Sequence, residues 1–237
     1  MRVLLVRPQA DAERTARRLA MHGHEAVIAP VLRIDRTDEP PPSGSFAAVI
    51  LTSANAVPAL AAIKSRLAGL PVFAVGERTG CGAAAAGWTD VRIADGDGAA
   101  LAALIGRSLP LRARLLHIAG RERKAEPGAS LVAAGFPVST WIAYEAVAAE
   151  CLPGVAQSAL SEARLDAALH YSRRSAAVAL DLAARSGVMA PFLALAHVCL
   201  SADTAAPLQA AGAGRMRTAE RMDEASLLAA LDEWAGK

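Results

Sequence analysis

The chain has 237 residues, with 25 lysines and arginines against 23 acidic residues, so its formal net charge is +2. Hydrophobic residues make up 54% and aromatic residues 4%. At roughly 150 residues per domain, this length allows one or two domains with a full apolar core. The balanced charge argues against a nucleic-acid-binding protein, and the apolar content excludes a disordered chain. The cysteines, Cys81, Cys151 and Cys199, form no CxxC pair, which predicts small buried thiols in a reducing cytosol without a disulfide or structural zinc.

Short apolar runs alternate with longer segments rich in alanine and leucine. The runs predict strands at Val3–Val6, Glu25–Ile28, Ala48–Leu51, Pro71–Val75, Val91–Ile93, Arg114–Ile118, Val138–Trp141, Ala167–His170, Leu193–Val198 and Met216–Thr218. The segments between them predict helices, such as Ala10–Met21, which consists of good helix formers and precedes Gly23. Short apolar strands separated by helices predict an α/β fold whose parallel sheets are covered on both faces.

The N-terminal apolar run ends at Arg7 and Pro8, which is too early for a signal peptide. The uncharged stretch from Ser43 to Ile63 is long enough to span a bilayer, but polar residues and Pro58 interrupt it. We therefore expect a cytoplasmic protein that neither crosses a membrane nor binds nucleic acid. Linker signals are present at Asp38–Ser45 and, more weakly, at Glu150–Gly154.

An internal repeat organises the chain. Residues 2–34 align without a gap on residues 114–146, residues 47–60 resemble residues 167–180, and residues 75–94 align with residues 200–219. The order of the blocks is X-Y-Z-X-Y-Z, which predicts two similar α/β domains. Either the domains lie in tandem, or the first X packs with the last Y-Z and the central Y-Z-X is inserted. In the second case residues 31–34 and 144–147 connect the domains and could pair as a ladder.

Small, hydroxyl-bearing and basic residues follow the predicted strands. Because ligands of open α/β sheets bind outside the carboxyl ends of the strands, these residues are candidates for binding. They are Arg7, Thr52, Ser53, Asn55, Gly76, Thr79, Gly120, Arg121, Ser172 and Thr204. Arginines and free N–H groups at helix N-termini suit an anionic ligand. The alternative for the serines and threonines is simple helix capping.

Several common sites are missing from the sequence: there is no GxxxxGK[ST], GxGxxG, GxSxG or HExxH motif. The repeat places His117, His170 and His197 at strand positions that are apolar in the sister unit, which favours a core role over metal binding. His22 and His24 flank Gly23 at a turn and are predicted to be solvated.

Four segments of the chain resemble the uroporphyrinogen-III synthase family: VRPQADAERTARRLAMHGHEAVIAP, AAVILTSANAV, VFAVGERT and WIAYEAV. Two segments of the second half resemble it more weakly, LHYSRRSA and SADTAAPLQAAGA. The resemblance covers nearly the whole chain. The resemblance implies two flavodoxin-like α/β domains with parallel sheets, joined by a two-stranded β-ladder. One domain would comprise residues 1–30 and 150–237, the inserted domain residues 40–140, and the ladder residues 31–39 and 141–149.

The resemblance also implies a cofactor-free and metal-free monomer that closes the linear tetrapyrrole hydroxymethylbilane into uroporphyrinogen III, with loss of water and inversion of ring D. Tyr144, in the Tyr-Glu pair of the motif, then becomes the candidate catalytic hydrogen-bond donor to the departing hydroxyl group. Its alternative role is packing between the domains. The candidate binding residues above become candidate ligands of the polycarboxylate substrate.

The second half departs from the family pattern at Tyr171, Arg173 and residues 199–203. An alternative is therefore a non-catalytic binding or regulatory module for an anionic small molecule. A third possibility, an enzyme acting on a phosphosugar or nucleotide, is disfavoured by the missing phosphate motifs.

Overall fold

The polypeptide folds into two compact units, and one of them is made from both ends of the chain. A computed structural model describes residues 1–94, 97–123 and 125–236. Unit 1 comprises Met1–Arg33 and Val147–Lys237, and unit 2 comprises Ile34–Ala146.

The strands, in chain order, are β1 (Arg2–Leu5), β2 (Glu25–Ile28), β3 (Leu32–Arg36), β4 (Ala48–Leu51), β5 (Val72–Val75), β6 (Val91–Ala94), β7 (Leu115–Gly120), β8 (Val138–Ala148), β9 (Ala167–His170), β10 (Ala196–Cys199) and β11 (Met216–Thr218). The helices are α1 (Gln9–Met21), α2 (Val57–Ala62), α3 (Glu77–Ala85), α4 (Gly98–Ser108), α5 (Gly128–Ala133), α6 (Gly154–Ser161), α7 (Arg173–Arg185), α8 (Met189–Leu193), α9 (Ala202–Ala210) and α10 (Glu224–Trp234). Short 3₁₀ helices lie at Ala54–Ala56 and Lys64–Arg66.

The two units share one strand order. The five-stranded sheet of unit 1 runs β2-β1-β9-β10-β11, and each of these pairings is parallel. Counted along unit 1, this is the flavodoxin-like order 2-1-3-4-5. The sheet of unit 2 contains β8-β7-β4-β5-β6, also paired in parallel, and the same order appears if the count starts at β7. Unit 2 is therefore a circular permutation of unit 1, and the predicted α/β class with parallel sheets is confirmed.

Each sheet is buried on both faces, which explains why its strands read as continuous apolar runs. In β1, Leu4 belongs to one apolar cluster of unit 1, whereas Val3 and Leu5 belong to the other. In β4, Leu51 faces one cluster of unit 2 and Ile50 faces the other. Because successive side chains point to opposite faces, helices must cover both sides of each sheet.

The chain passes between the two units near residues 33 and 147. β3 is the edge strand next to β8, and both strands include these crossing points. Nearby, the Thr37 N–H donates to the Ala143 carbonyl at 3.2 Å, and the Ala149 N–H donates to the Val31 carbonyl at 2.9 Å. Whether these strands act as a ladder that joins two domains stays a prediction.

Three strand ends differ by two or more residues from the sequence-based expectation. β7 continues to Gly120, and β8 continues to Ala148 instead of ending at Trp141. β10 begins at Ala196, because Leu193 is the last residue of α8. An apolar run such as residues 192–198 cannot by itself distinguish the end of a buried helix from a buried strand.

Two predictions about burial are wrong. The side chain of His24 is fully buried: its Nε2 atom lies 2.8 Å from Asp232 Oδ1, and its Nδ1 atom lies 3.1 Å from the amine of Met1. These polar partners offset the cost of burying the ring. Cys81 and Cys151 are exposed, and only Cys199 is buried. By contrast, His117, His170 and His197 are buried, as the repeat predicts.

Candidate functional site

Unit 2 gathers polar residues along one edge of its sheet. β8, β7, β4 and β5 are consecutive and parallel, so their carboxyl ends lie at the same edge. Seven predicted site residues of this unit lie at or just after those ends: Thr52, Ser53, Asn55, Gly76, Thr79, Gly120 and Arg121. The eighth, Tyr144, lies inside β8, opposite Gly120. The chain runs from β7 to β8 on one side and from β4 to β5 on the other, so the switch point of the topology lies between β7 and β4. Ligands of doubly wound sheets bind at such a point.

Tyr144 packs directly against Gly120. The two residues are register partners in the β7–β8 pairing, at a position where the register shifts. A Cβ atom at position 120 would lie 2.7 Å from Tyr144 Cε2 and 3.0 Å from Cζ. Real Cβ atoms do not approach other heavy atoms this closely, so only glycine allows the ring to lie in this place.

The environment of the Tyr144 hydroxyl suits a proton donor. Burial raises the pKa of Tyr144 above its usual value, so the phenol keeps its proton at neutral pH. Hydrogen bonds from the Ser53 hydroxyl and the Gly120 N–H act in the opposite direction, because they stabilise negative charge on the oxygen. The phenol is therefore held neutral, and two donors are in place to stabilise the phenolate if the proton leaves.

The loop after β4 has two polar attachments. Ser53 caps the 3₁₀ helix by accepting the Asn55 N–H at 3.2 Å, and its hydroxyl also bonds Tyr144. Thr52 Oγ1 lies 3.2 Å from Nε2 of the buried His117. Ser53 therefore both caps a helix and contacts the candidate catalytic residue Tyr144, so helix capping does not exclude a role in the site.

The loop after β5 presents Gly76 and Thr79. Gly76 precedes α3 with φ of 73°, in the left-handed region that favours glycine. Thr79 lies buried in the first turn of this helix. Arg121, after β7, is half exposed, and its Nε donates to Glu145 Oε2 at 2.8 Å.

The other three predicted site residues lie in unit 1, at the carboxyl ends of β1, β9 and β10. Ser172 accepts the Ser175 N–H and has nearly the same backbone angles as Ser53. Thr204 is buried in the first turn of α9, as Thr79 is in α3, and its hydroxyl lies 3.1 Å from Ser201 Oγ. Ser53 with Thr79 and Ser172 with Thr204 are thus equivalent pairs in the two permuted units.

Arg7 is held inside a buried ionic cluster, which we call the Arg7 cluster: Arg7, Asp11, Thr15, Tyr171 and Glu224. Nη1 of Arg7 donates to Thr15 and to Glu224, at 2.9 and 3.1 Å, and Nη2 donates to Asp11 at 3.3 Å. The guanidinium carbon lies 3.7 Å from the centroid of the Tyr171 ring.

Glu224 is the acceptor at the centre of the Arg7 cluster. Its Oε1 atom accepts the hydroxyls of Thr15 and Tyr171, at 2.5 and 2.8 Å. Burial alone would raise the pKa of Glu224, but these bonds and the charges of Arg7 and Arg18 lower it below its usual value. Glu224 is therefore ionised and neutralises Arg7.

Sequence reasoning missed three participants: His117, Glu145 and Glu224. The repeat does single out His117, because it aligns with Leu5 of the sister strand. This alignment predicts only that His117 is buried in the core. Glu145 directly follows Tyr144. Glu224 gave no signal, because it meets Arg7 from 217 positions away.

In the described ranges, no group of three or more His, Cys, Asp or Glu side chains is placed to hold a metal ion. No helix in the same residues is long and apolar enough to cross a membrane.

Comparisons with known proteins agree with this architecture. A family model described as uroporphyrinogen-III synthase HemD matches residues 13–229. The uroporphyrinogen-III synthetase of Helicobacter pylori is similar in structure, with a TM-score of 0.63 and 16% identity, covering 99% of this chain and 100% of that one. A mutant uroporphyrinogen III synthase from Thermus thermophilus has a TM-score of 0.54 and 16% identity, covering 100% of this chain and 99% of that one. Curated proteins gave no match.

Proposed function

The chain belongs to the uroporphyrinogen-III synthase HemD family, and we propose that the polar sheet edge of unit 2 carries out the chemistry of this lyase. The reaction converts hydroxymethylbilane into uroporphyrinogen III in tetrapyrrole biosynthesis, with loss of water. The state of the Tyr144 hydroxyl supports this location. Burial keeps the hydroxyl protonated, and hydrogen bonds from Ser53 and Gly120 act on its oxygen.

The first step of the proposed mechanism is departure of the substrate hydroxyl group. Tyr144 donates its proton as the carbon–oxygen bond breaks, so that water leaves and an azafulvene cation remains. The Ser53 hydroxyl and the Gly120 N–H stabilise the phenolate formed on Tyr144, as preorganised donors do in other enzymes.

The second step is attack of ring D through its substituted carbon, which gives a spiro intermediate and leads to inversion of that ring. This step depends on how the substrate is folded and needs few reacting side chains. Ring D loses a proton in the final closure, and that proton restores the Tyr144 phenol.

Binding of the substrate carboxylates is proposed for donors in unit 2: Thr52, Asn55, the backbone at Gly76, Thr79 and Arg121. For Ser172 and Thr204 of unit 1, substrate binding stays a prediction from the sequence. Hydroxyls, N–H groups and an arginine all donate to carboxylates. The pair of Arg121 with Glu145 is half exposed, so exchange of Glu145 for a substrate carboxylate costs little. We further propose that the protein acts as a cytoplasmic monomer without a cofactor.

Product analysis tests the function. The pure protein is incubated with freshly generated hydroxymethylbilane, the products are oxidised, and the type I and type III uroporphyrin isomers are separated. A predominantly type III product is expected, against type I in the protein-free control. Type I alone from a protein whose circular dichroism shows it to be folded would contradict catalysis, and substrate binding without turnover would favour the alternative of a binding module.

A further inference from the structure

His117 lies beside the proposed site, and the mechanism above does not use it. The residue sits in β7 between Ile50 of β4 and Thr140 of β8, and it is 4% exposed. Its Nε2 atom is 3.2 Å from Thr52 Oγ1, so the side chain bridges β7 and the loop after β4 across the switch point.

The imidazole of His117 is neutral at physiological pH. Burial and the positive charge of Arg123 lower its pKa to about 4. A neutral imidazole carries a proton on only one nitrogen, so the bond to Thr52 has a definite direction. If Nε2 carries the proton, it donates to the Thr52 oxygen and leaves the Thr52 O–H free to donate elsewhere. If Nε2 carries no proton, it accepts the Thr52 O–H, and Thr52 can then only accept a hydrogen bond from a ligand.

We propose that His117 is a positioning residue: its Nε2–H donates to Thr52 Oγ1 and thereby directs the Thr52 hydroxyl proton toward a carboxylate of the substrate. This inference rests on the proposed function, because only an anionic ligand requires Thr52 to donate. The opposite arrangement would place oxygen lone pairs against a carboxylate, which is repulsive.

The fold itself does not require this histidine. Unit 1 builds the same strand order with Leu5 at the position equivalent to His117, and Leu5 is fully buried in an apolar cluster. Tyr171, equivalent to Thr52, bonds instead to Glu224 in the Arg7 cluster. The His117–Thr52 pair is thus specific to unit 2, and His117→Leu imitates a side chain that this sheet type already accommodates.

The test compares His117→Leu, His117→Gln, Thr52→Val and the double variant His117→Leu/Thr52→Val with the unchanged protein. A hydrogen bond to a carboxylate acts on bound substrate and transition state alike, so its loss raises KM and leaves kcat nearly unchanged. We expect His117→Leu to raise KM about tenfold, at the lower end of the loss for a complete charge-assisted hydrogen bond, because Thr52 keeps its hydroxyl but loses the donor that directs it. His117→Gln restores KM to within about threefold, because its amide N–H₂ reaches the place of Nε2.

Thr52→Val should raise KM at least as much as His117→Leu, because it removes the donor itself. The double variant should be no worse than Thr52→Val, since His117 acts only through Thr52. An unchanged KM in His117→Leu would overturn the inference. So would an equal defect in His117→Gln, or losses that multiply in the double variant.

Equilibrium binding of uroporphyrinogen III under anaerobic conditions separates this inference from the proposed function, because it needs no turnover. If the unchanged protein forms no type III product, the proposed function fails, and the same ratio of dissociation constants between variants still decides the role of His117. Equal affinity in His117→Leu and the unchanged protein, or binding by neither, would overturn the inference.

Discussion

Gly120 lies beneath the Tyr144 ring, and a Cβ atom at position 120 would come within 2.7 Å of Tyr144 Cε2. The Gly120 N–H also donates to the hydroxyl of the same tyrosine. One glycine therefore gives the ring its space and supplies one of the donors to its oxygen. Any side chain at position 120 would displace the ring and would therefore move the hydroxyl relative to the Gly120 N–H.

We expect Gly120→Ala to displace the Tyr144 ring and to lower kcat at least tenfold, while overpacking costs about 1–3 kcal/mol of unfolding free energy. Steady-state kinetics and urea unfolding measure the two effects. Gly106→Ala is the matched control, because a Cβ at this position in α4 meets nothing within 4 Å and alanine favours a helix. An unchanged kcat in Gly120→Ala would show that the position of the Tyr144 ring does not matter for the reaction, and would contradict a catalytic role of Tyr144.

Tyr144→Phe removes the proposed proton donor and keeps the ring. We expect kcat to fall about a hundredfold, within the usual range for a general acid, with little change in KM. Isomer-resolved product assays at saturating substrate measure this loss.

The chain contains two tyrosines, and Tyr171→Phe provides the comparison. Its hydroxyl bonds Glu224 in unit 1, so we expect a loss of stability of about 1–3 kcal/mol and no loss of kcat. Equal kcat values for Tyr144→Phe and the unchanged protein would return Tyr144 to a packing role.

Much of the scaffold can be predicted from the sequence, because strands buried on both faces are continuous apolar runs and parallel strands end at one edge. The positions of the strand ends along the chain are enough to place Ser53 and Gly120 near one another. They do not place Tyr144, which lies inside β8 beyond the predicted end of that strand at Trp141. The repeat also predicts two similar domains, because blocks X, Y and Z occur in the same order twice, but it does not distinguish the tandem from the inserted arrangement.

The side-chain partnerships could not be predicted. The bond between Thr52 and His117 joins residues 65 positions apart and depends on the register of β4 against β7. The pairing of Arg7 with Glu224 depends on how α10 packs beside α1, which no local pattern encodes. For Arg7, the strand-end position predicts a ligand contact, whereas the observed contacts satisfy its charge internally.

The contacts of Arg7 lead us to expect that it stabilises unit 1 and does not bind substrate, although its place at a strand end predicts binding. Arg7→Met leaves the largely buried carboxylates of Asp11 and Glu224 with fewer partners. Breaking a buried ion pair from one side costs about 3 kcal/mol. We expect urea unfolding to show this loss, with KM within about twofold of the unchanged protein because both Nη atoms of Arg7 already have partners in unit 1.

Arg173→Met is the control for Arg7→Met, since Arg173 pairs with Asp203 at the surface and such pairs contribute little. A large rise in KM for Arg7→Met, with stability unchanged, would instead support the prediction from the strand-end position that Arg7 binds substrate.

His170 and His197 form a fully buried pair in unit 1, with His170 Nε2 at 3.0 Å from His197 Nδ1. His197 Nε2 faces the Phe192 carbonyl at 3.1 Å, so it carries a proton and donates. His197 Nδ1 is therefore bare and accepts from His170. His170 Nδ1 is left bare and, among the described residues, without a hydrogen-bond partner. Neither ring can take a second proton without placing an uncompensated charge in the core.

Burial therefore lowers the pKa of both histidines below the ordinary value of 6.5. The folded state binds fewer protons than the unfolded state, so the stabilising contribution is complete above pH 6.5 and is lost as the pH falls below it. The loss approaches about 1.4 kcal/mol per pH unit for each histidine.

The repeat supplies the variant that tests this acid sensitivity. The sister strands carry Leu51 and Val72 at the positions equivalent to His170 and His197, so His170→Leu/His197→Val should preserve packing. We expect its unfolding free energy, from urea titrations between pH 7.5 and pH 5, to fall less steeply with acid than that of the unchanged protein. Identical pH slopes in the double variant and the unchanged protein would show that the pair does not govern the acid sensitivity of unit 1.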